Sequence, residues 1–275
     1  MNELQQKDFE ILKYFKKIAE ENDINYFLYA GTLLGSVRHQ GFIPWDDDID
    51  IGMLRKDFEK FEEFFINSDY EKAGYFYMSR KLYPFNAQPF SKIRSKNMNI
   101  RERMPATQKG NFGPWIDIFP FDNIPNDSKK RREQYNKVTF YNNIIKKIML
   151  FQVVPENKGL KRRFKVVLQK INEKIYPLYF FMPYIYKKRN KYMTMYNDVE
   201  TSHVADLSFL YYKDYEDYSR HIFKKEYLED FTDGQFETEF FKIPKKYDEI
   251  LTIMYDEYMI LPPDSERKTH NIEEV

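Results

Sequence analysis

The chain has 275 residues, of which 42% are hydrophobic and 32% are charged, and its formal net charge is +1. This composition fits a globular protein with one large domain or two small ones. The sequence contains no cysteine, which excludes thiol nucleophiles, disulfide bonds and cysteine-ligated zinc or iron–sulfur centres.

The location of the protein follows from two further features. The N-terminal residues MNELQQKDFE lack the basic and apolar regions of a signal peptide. The longest apolar run, Ile175 to Tyr186, has 12 residues and contains two prolines, whereas a membrane-spanning helix needs about 20 residues. We therefore expect a cytoplasmic protein, and we restrict any membrane contact to peripheral contact at the inner face of the cell membrane.

The first predicted elements alternate between helix and strand. Apolar residues at helical spacing predict helices, runs of aromatic and β-branched residues predict strands, and Pro44 breaks any helix in the loop around it. In chain order the predictions are a helix at 8–19, a strand at 24–30, a short helix at 33–39, a loop at 41–45, a strand at 48–52 and a helix at 55–66.

The later elements complete an α+β fold with helices around a mixed sheet. The predictions are strands near 75–80, 90–95, 97–101 and 115–119, with Pro120 and Pro125 ending the last of them, a largely helical region at 129–175 and a final helix at 245–261. Strands followed by helices favour this fold class. We predict three parts: a catalytic core at 1–126, a basic, aromatic-rich helical subdomain at 127–192, and a C-terminal part at 193–275 that packs on the core.

The near-neutral net charge hides a basic block. Residues 127–192 carry 18 Lys and Arg against 4 Asp and Glu, a net charge of +14, and the rest of the chain carries −13. Charge separation of this size usually concerns a partner rather than the fold. We predict that the block docks on an anionic membrane surface or a lipid-linked acceptor; the alternative is a helical subdomain with buried aromatics and solvated charges.

An acidic segment is the strongest functional signal. Asp46, Asp47, Asp48 and Asp50 lie within five residues. In an extended strand, Asp46, Asp48 and Asp50 would share one face, because successive side chains alternate. Carboxylates this close repel one another unless a cation lies among them, and carboxylate oxygens are ligands that Mg²⁺ prefers. The alternative of a solvated loop is disfavoured by the interleaved Ile residues, and an EF-hand is excluded because Gly52 comes one residue late.

A glycine-containing turn precedes the acidic segment. Gly31 to Ser36, GTLLGS, follows a predicted strand and opens a predicted helix. Glycine lets the backbone approach a ligand, and helix N-termini attract phosphate oxygens. Alone, the pattern is more typical of a simple strand-to-helix turn. Its position just before the acidic segment favours a site for a nucleotide and its metal.

Residues 31–53, GTLLGSVRHQGFIPWDDDIDIGM, closely resemble the signature of the LicD phosphotransferases, which are kin of fukutin and fukutin-related protein. Further matches are SKIRSK at 91–96, WIDIFPFD at 115–122, FE at 236–237, and Tyr255 through Pro263 with the later Arg267 and His270. The segment Tyr255 to Met259 departs from the pattern, because many relatives carry Gly-Asp between the two tyrosines. The resemblance covers most of the chain and is weakest across 127–200.

The resemblance implies a nucleotidyltransferase-like mixed sheet, with an Asp-x-Asp pair on one strand and a third carboxylate on a later strand, for which Asp117 is the candidate. It also implies transfer of phosphocholine or a related phospho-alcohol from a CDP-linked donor, such as CDP-choline, to a cell-surface glycan, for instance a teichoic acid, or to its lipid-linked precursor. We expect Mg²⁺ as cofactor, with Mn²⁺ as the alternative, and no nucleic-acid partner.

Each candidate site residue then receives a role. The predicted metal ligands are Asp48, Asp50, Asp46 and Asp117, and Asp117 is also a candidate base. The predicted substrate contacts are Gly31, Thr32, Arg38, His39, Lys92 and Arg94. Arginine suits bidentate phosphate binding; for Lys92 and Arg94 the alternative is an exposed strand edge, and for His39 it is a structural hydrogen bond.

Other functions remain open. A nucleotidyltransferase or an Asp-x-Asp glycosyltransferase would also use a nucleotide-activated donor. In glycosyltransferases the pair usually follows several strands, whereas here it follows one strand and one short helix. A non-enzymatic metal-binding scaffold is disfavoured because all the motif carboxylates are present.

Overall fold

The structure is a computed structural model. It describes residues 1–68, 74–82, 90–96, 100–102, 113–151, 167, 180–267 and 272–274. His270 and residues 175–179 of the predicted apolar run lie outside the described residues.

The described residues form one mixed sheet of seven strands. Its strands are β1 (Phe27–Leu28), β2 (Asp50–Leu54), β3 (Tyr75–Met78), β4 (Ser91–Ser95), β6 (Trp115–Ile124), β7 (His203–Asp206) and β8 (Ile222–Lys224). The order is β1-β2-β6-β4-β3, and β7 pairs with both β6 and β8. Only β2 and β6 run parallel; the other neighbours are antiparallel.

Helices and two small sheets surround this sheet. The helices are α1 (Glu3–Glu21), α2 (Ala30–His39), α3 (Arg55–Asn67), α4 (Ser128–Phe151), α5 (Met182–Met193), α6 (Tyr215–Ser219) and α7 (Tyr247–Tyr255), with 3₁₀ turns at Lys225–Leu228 and Asp264–Glu266. The two small sheets pair β9 (Phe231–Phe236) with β10 (Glu239–Pro244), and β5 (Ile100–Glu102) with β11 (Ile272–Glu274). A mixed sheet flanked by helices confirms the α+β class, whereas the three-part division stays a prediction.

Helix α1 is longer than predicted because its start is capped. The Asn2 side chain accepts from the Gln5 backbone N–H at 2.8 Å, and the Gln5 side chain accepts from the Asn2 N–H at 2.9 Å. This reciprocal pair satisfies donors that a helix start leaves without partners. The apolar face of α1 packs on the sheet, where Phe15 meets Phe61 of α3 with ring centroids 5.1 Å apart. The helix thereby fixes one face of the sheet.

Strand β6 runs through Pro120, so the prediction that this proline ends the strand is wrong. The Asp117 N–H donates to Ile49 of the β2 side at 2.8 Å, and donors alternate along a strand, so position 120 faces the other edge. There β4 pairs only up to Ile118 and β7 begins at Phe121. The proline lacks an N–H where no neighbouring strand would accept it.

Two other boundaries differ from prediction. Strand β1 has only two residues instead of the predicted seven, and α7 ends at Tyr255 instead of continuing to 261. Asp256 follows with φ 57° and ψ −113°, a backbone conformation that a helix cannot include. None of the helices in the described ranges combines the length and the apolar character that crossing a lipid bilayer requires.

Candidate active site

Three charged residues stand in one row across the middle of the sheet. Asp117 of β6 is in register with Asp50 of β2 on one side and with Lys92 of β4 on the other. Residues paired in this way project from the same face, with Cβ atoms about 5 Å apart. Lys92 Nζ lies 2.8 Å from Asp117 Oδ1. The predicted third carboxylate, Asp117, is therefore next to Asp50, and the buried ammonium group of Lys92 is next to Asp117.

Lys92 and Arg94 are buried in the sheet, so the alternative of an exposed strand edge is wrong. Strand β4 lies between β6 and β3, and Lys92 is only 1% exposed. Lys92 Nζ lies 4.6 Å from the Trp115 ring centroid and the Arg94 guanidinium 4.8 Å from it. Arg94 also donates to the Gly113 carbonyl at 3.2 Å. Both cations are thus held by the protein, and their contact with a phosphate stays a prediction.

The acidic segment is a loop that leads into β2 rather than part of the strand. The strand begins at Asp50, and the Asp46 N–H donates to the Ile43 carbonyl at 2.9 Å in a turn. Ile49 and Ile51 are fully buried, as the alternation predicts. Asp46 and Asp48 therefore reach the site from a loop anchored by Ile49.

Helix α2 holds this loop. The helix includes Gly31 and Thr32, which were expected in the turn before it. The Thr32 hydroxyl accepts from the Asp50 N–H at 2.8 Å. A Cβ on Gly31 would lie 2.6 Å from Asp46 Oδ2, so glycine leaves room for that carboxylate at the helix N-terminus, where negative charge is favoured. Phosphate contact by either residue stays a prediction.

Glu237, in the turn between β9 and β10, holds the chain just before the acidic loop. Glu237 Oε1 accepts from the Phe42 N–H at 3.0 Å, and the Glu237 N–H donates to the Gln40 carbonyl at 2.7 Å. Glu237 belongs to the Phe-Glu pair at 236–237, so this part of the predicted resemblance has a structural role in positioning the acidic loop.

The carboxylates of the site repel one another. Removal of water raises the pKa of the Asp50 carboxyl well above its usual value, Asp48, Asp117 and Asp46 raise it further, and Lys92 opposes them. Among the described residues, however, no three acidic or histidine side chains already converge on one point as a ready-made metal site. The donor chemistry fits a hard cation such as Mg²⁺.

Arg38 and His39 are engaged with the protein. Arg38 donates to the Tyr258 carbonyl at 2.6 Å, and its Nε donates to His39 Nε2 at 3.0 Å. Desolvation lowers the pKa of both groups, and the Arg38 charge lowers that of His39 further. Arg38 thus ties α2 to the segment after α7. Their predicted contact with phosphate stays a prediction.

Tyr255 is a site residue that the sequence reasoning did not assign. It is 39% exposed, yet the surrounding protein raises the pKa of its phenol, as do Asp50, Asp46 and Asp48. Arg38 opposes the shift. These electrostatic interactions place Tyr255 in the neighbourhood of the acidic segment. The only sequence signal was its place in the resemblance between Tyr255 and Pro263.

Asp8 of α1 was also missed. It is 1% exposed, and its neighbour one turn earlier, Gln5, donates to the Asp46 carbonyl at 2.7 Å. Burial raises the pKa of the Asp8 carboxyl well above its usual value, and Asp48 and Asp47 raise it further. A signal was present: Asp8 falls on the same helical face as Leu12, Phe15 and Ala19, where a charged residue needs an explanation.

The described part of the basic block is divided between core and surface. In α5, Met182, Ile185 and Tyr186 are buried against α4. Phe180 is 77% exposed, and Phe181 and Tyr184 are also exposed. Some of the aromatic residues are therefore core residues and others are exposed, so neither a wholly buried core nor a wholly exposed docking surface describes them. Docking on a membrane stays a prediction.

Comparison with known proteins shows which proteins the chain is similar to. Residues 23–150 match the model described as LicD/FKTN/FKRP, nucleotidyltransferase domain. The chain is similar to the lipopolysaccharide cholinephosphotransferase LicD of Haemophilus influenzae, with 27% identity over 96% of this chain and 93% of that protein. Two similarities are shorter. The chain is 39% identical to a Rickettsia typhi protein over 27% of this chain and 24% of that protein. It is 40% identical to human ribitol 5-phosphate transferase FKRP over 18% of this chain and 10% of that protein.

Proposed function

We propose that the chain, which matches the LicD/FKTN/FKRP model over residues 23–150 and is similar to LicD of Haemophilus influenzae, is a metal-dependent phosphotransferase of that family. It would move phosphocholine or a related phospho-alcohol from a CDP-linked donor to a hydroxyl of a cell-surface glycan or its lipid-linked precursor. The name of the Haemophilus influenzae relative supports phosphocholine as the group transferred, and the name of FKRP supports ribitol phosphate as the alternative. The description of the matched family supports a nucleotidyltransferase-like core.

The row Asp50–Asp117–Lys92 is the observation that carries this proposal. Two carboxylates from neighbouring parallel strands are in register and project from the same face of the sheet, and the loop residues Asp46 and Asp48 add negative charge beside them. In phosphoryl transfer the protein chiefly positions the reactants and neutralises charge. These carboxylates suit that chemistry when a cation is bound, because without a cation they would repel the anionic donor.

Asp46, Asp48, Asp50 and Asp117 are the residues we propose as ligands of Mg²⁺ or Mn²⁺. Their oxygen donors match these ions. The pKa of Asp50 is raised by burial first and then by Asp48, Asp117 and Asp46, whose repulsion a cation would relieve. When bound, the ion would neutralise the phosphate oxygens and the developing charge on the leaving group. The residues fit such an ion in the chemistry of their donor atoms.

The remaining residues would position the reactants. In this reaction the acceptor hydroxyl attacks the distal phosphorus of the donor, a new P–O bond forms, the P–O bond to CMP breaks, and the hydroxyl proton leaves. Asp117 would accept that proton, hold the cation, or do both, while Lys92 fixes its orientation through the 2.8 Å contact. Tyr255, whose phenol interacts electrostatically with Asp50, Asp46 and Asp48, would contact a bound donor or acceptor.

A donor screen tests the proposal. Calorimetric titration in Mg²⁺ with CDP-choline, CDP-glycerol, CDP-ribitol and a UDP-sugar should give binding for at least one CDP-alcohol and none for the UDP-sugar. The donor that binds should then release CMP when a glycan acceptor preparation is added. Binding of the UDP-sugar alone would favour the Asp-x-Asp glycosyltransferase instead, and donor binding without CMP release in the presence of acceptor would favour a scaffold.

A further inference from the structure

We propose that Asp8 of α1 is a further functional residue of the cation site, a positioning residue that strengthens cation binding from behind the acidic loop. The inference rests on the proposed cation site. It extends that site to a helix far from it in sequence, which none of the motifs in residues 31–53 includes.

The placement of Asp8 is the first reason. Its side chain is buried between α1 and the start of β6, where it accepts a hydrogen bond from the Trp115 backbone N–H, two residues before Asp117. One turn earlier, Gln5 donates to the Asp46 carbonyl at 2.7 Å. Successive turns of α1 therefore hold both segments that carry the proposed ligands, the acidic loop and the start of β6.

The unsatisfied charge of Asp8 is the second reason. Within the described residues, Asp8 Oδ1 has no hydrogen-bond partner, and the carboxyl forms no ion pair there. A buried carboxylate is costly unless it is paired, and its electrostatic neighbours Asp48, Asp47 and Asp117 are carboxylates too. A divalent cation held by the acidic loop would reverse this unfavourable field, so the charge on Asp8 would favour the bound state.

The substitution Asp8→Asn separates charge from shape. Asparagine keeps the volume and an oxygen that can accept from the Trp115 N–H, but it removes the negative charge. We expect the affinity for Mn²⁺ to fall about 10-fold, the size typical of residues just outside the ligand shell. Without metal, the unfolding temperature should stay the same or rise, because asparagine replaces a carboxyl whose ionised form is disfavoured by burial and by its acidic neighbours.

The measurement is a titration of the full-length chain with Mn²⁺, in which electron paramagnetic resonance quantifies the free ion. Asp48→Asn, a proposed ligand, should lose nearly all binding. Glu21→Gln is the matched control, because Glu21 is an exposed carboxylate on the same helix and should bind like the unchanged protein.

The outcomes distinguish this inference from the proposal on which it rests. If the unchanged protein binds no Mn²⁺, the cation site fails and the inference with it. If Asp48→Asn loses Mn²⁺ while Asp8→Asn binds it normally, only the role of Asp8 is overturned. An Asp8→Asn variant that melts earlier without metal or does not fold would also overturn it, since the charge would then be stabilising the fold itself.

Discussion

Two acidic clusters lie at opposite ends of β6, and they differ in how their charge is balanced. At the far end, Asp122 is paired by Arg55 through two contacts of 2.8 Å and accepts from Asn197 at 2.7 Å. At the near end, Asp117 has Lys92, but Asp50, Asp48 and Asp46 crowd around it. Within the described residues, Arg55 neutralises Asp122 at one end, whereas at the other end four carboxylates interact near the buried Lys92.

The far cluster extends to β7 with the same internal balance. Asp206 accepts from the Ser208 N–H at 2.7 Å, and although burial raises its pKa to about 6, Ser208 and Arg189 oppose the shift. Arg189 is fully buried and donates to Asn142, Leu207 and Ser208. Buried carboxylates with donors of their own serve the fold, so the contrast between the two ends agrees with the proposal that the near carboxylates bind an external cation.

The largest expected effect is on turnover at the near end. Asp48→Asn and Asp50→Asn should each lower the rate by at least about 10³-fold, because ion-mediated charge stabilisation contributes several kcal/mol. Chemical denaturation should show no loss of folding stability, since one charge of a repelling set is removed. Full activity in either variant would contradict the assignment of the near cluster to the cation.

At the far end the same kind of change should affect stability instead. Asp122→Ala would leave the Arg55 guanidinium buried without its partner, and we expect a loss of about 3–5 kcal/mol in the free energy of unfolding. Urea denaturation measures the loss. The comparison breaks down if Asp122→Ala is as stable as the unchanged protein, or if it specifically abolishes Mn²⁺ binding while remaining folded.

Asp117 is the residue where both demands meet. Asp117→Asn should lower the rate about 10²-fold or more, as expected for loss of a base or a ligand, while donor binding survives. It should also destabilise the chain, because Lys92 would lose its ion-pair partner. Adding Lys92→Met should restore stability without restoring the rate. Loss of donor affinity with intact chemistry in the bound fraction would make Asp117 a binding residue.

Part of the candidate site could be predicted from the sequence, and part depends on the tertiary fold. Alternation of Asp and Ile predicted that Ile49 and Ile51 anchor the acidic segment, and the resemblance pointed to Asp117. The burial of Lys92 was not predictable, because it depends on the strand order that puts β4 between two others. Asp8 is 38 residues from Asp46 along the chain, so only the tertiary fold could bring them together.

A smaller effect, on stability, is expected at Asp256, the residue after Tyr255. Asp256 has φ 57° and ψ −113°, which costs about 1–3 kcal/mol for a non-glycine residue. Its ion pair with Arg220 at 2.8 Å is exposed and contributes little. Asp256→Gly should therefore raise the free energy of unfolding by about 1 kcal/mol, after the entropic cost of glycine.

Asp256→Ala is the matched control, because it removes the ion pair but keeps the strained backbone. Thermal denaturation should show a gain for Asp256→Gly alone. Equal stabilisation by both substitutions would show that the carboxylate, rather than the backbone conformation, is unfavourable.

Helix α5 carries both a buried basic residue and exposed basic residues. Arg189 belongs to the far cluster, whereas Lys187 and Lys191 are exposed beside the exposed rings of Phe180, Phe181 and Tyr184. We predict that this surface binds anionic vesicles, because aromatic and basic residues together suit the headgroup region and each basic residue contributes about 1 kcal/mol.

Vesicle flotation measures this binding. It should appear with anionic and not with zwitterionic lipid, weaken as salt rises, and decrease several-fold in the double variant Lys187→Glu/Lys191→Glu. The control Lys17→Glu changes an exposed lysine on α1 and should have less effect. Absence of flotation with anionic lipid at low salt would eliminate the membrane version, and the basic block would need a soluble anionic partner.

The most direct test of the central claim is calorimetric binding of CDP-choline, or of whichever CDP-alcohol binds best, with Mg²⁺ and with a chelator. If the surplus charge around Asp50 needs a cation before an anionic donor can approach, affinity should fall at least about 10-fold when Mg²⁺ is removed. Asp50→Asn should then bind donor no better with Mg²⁺ than the unchanged protein does without it. Equal donor affinity in Mg²⁺ and in chelator would contradict the account.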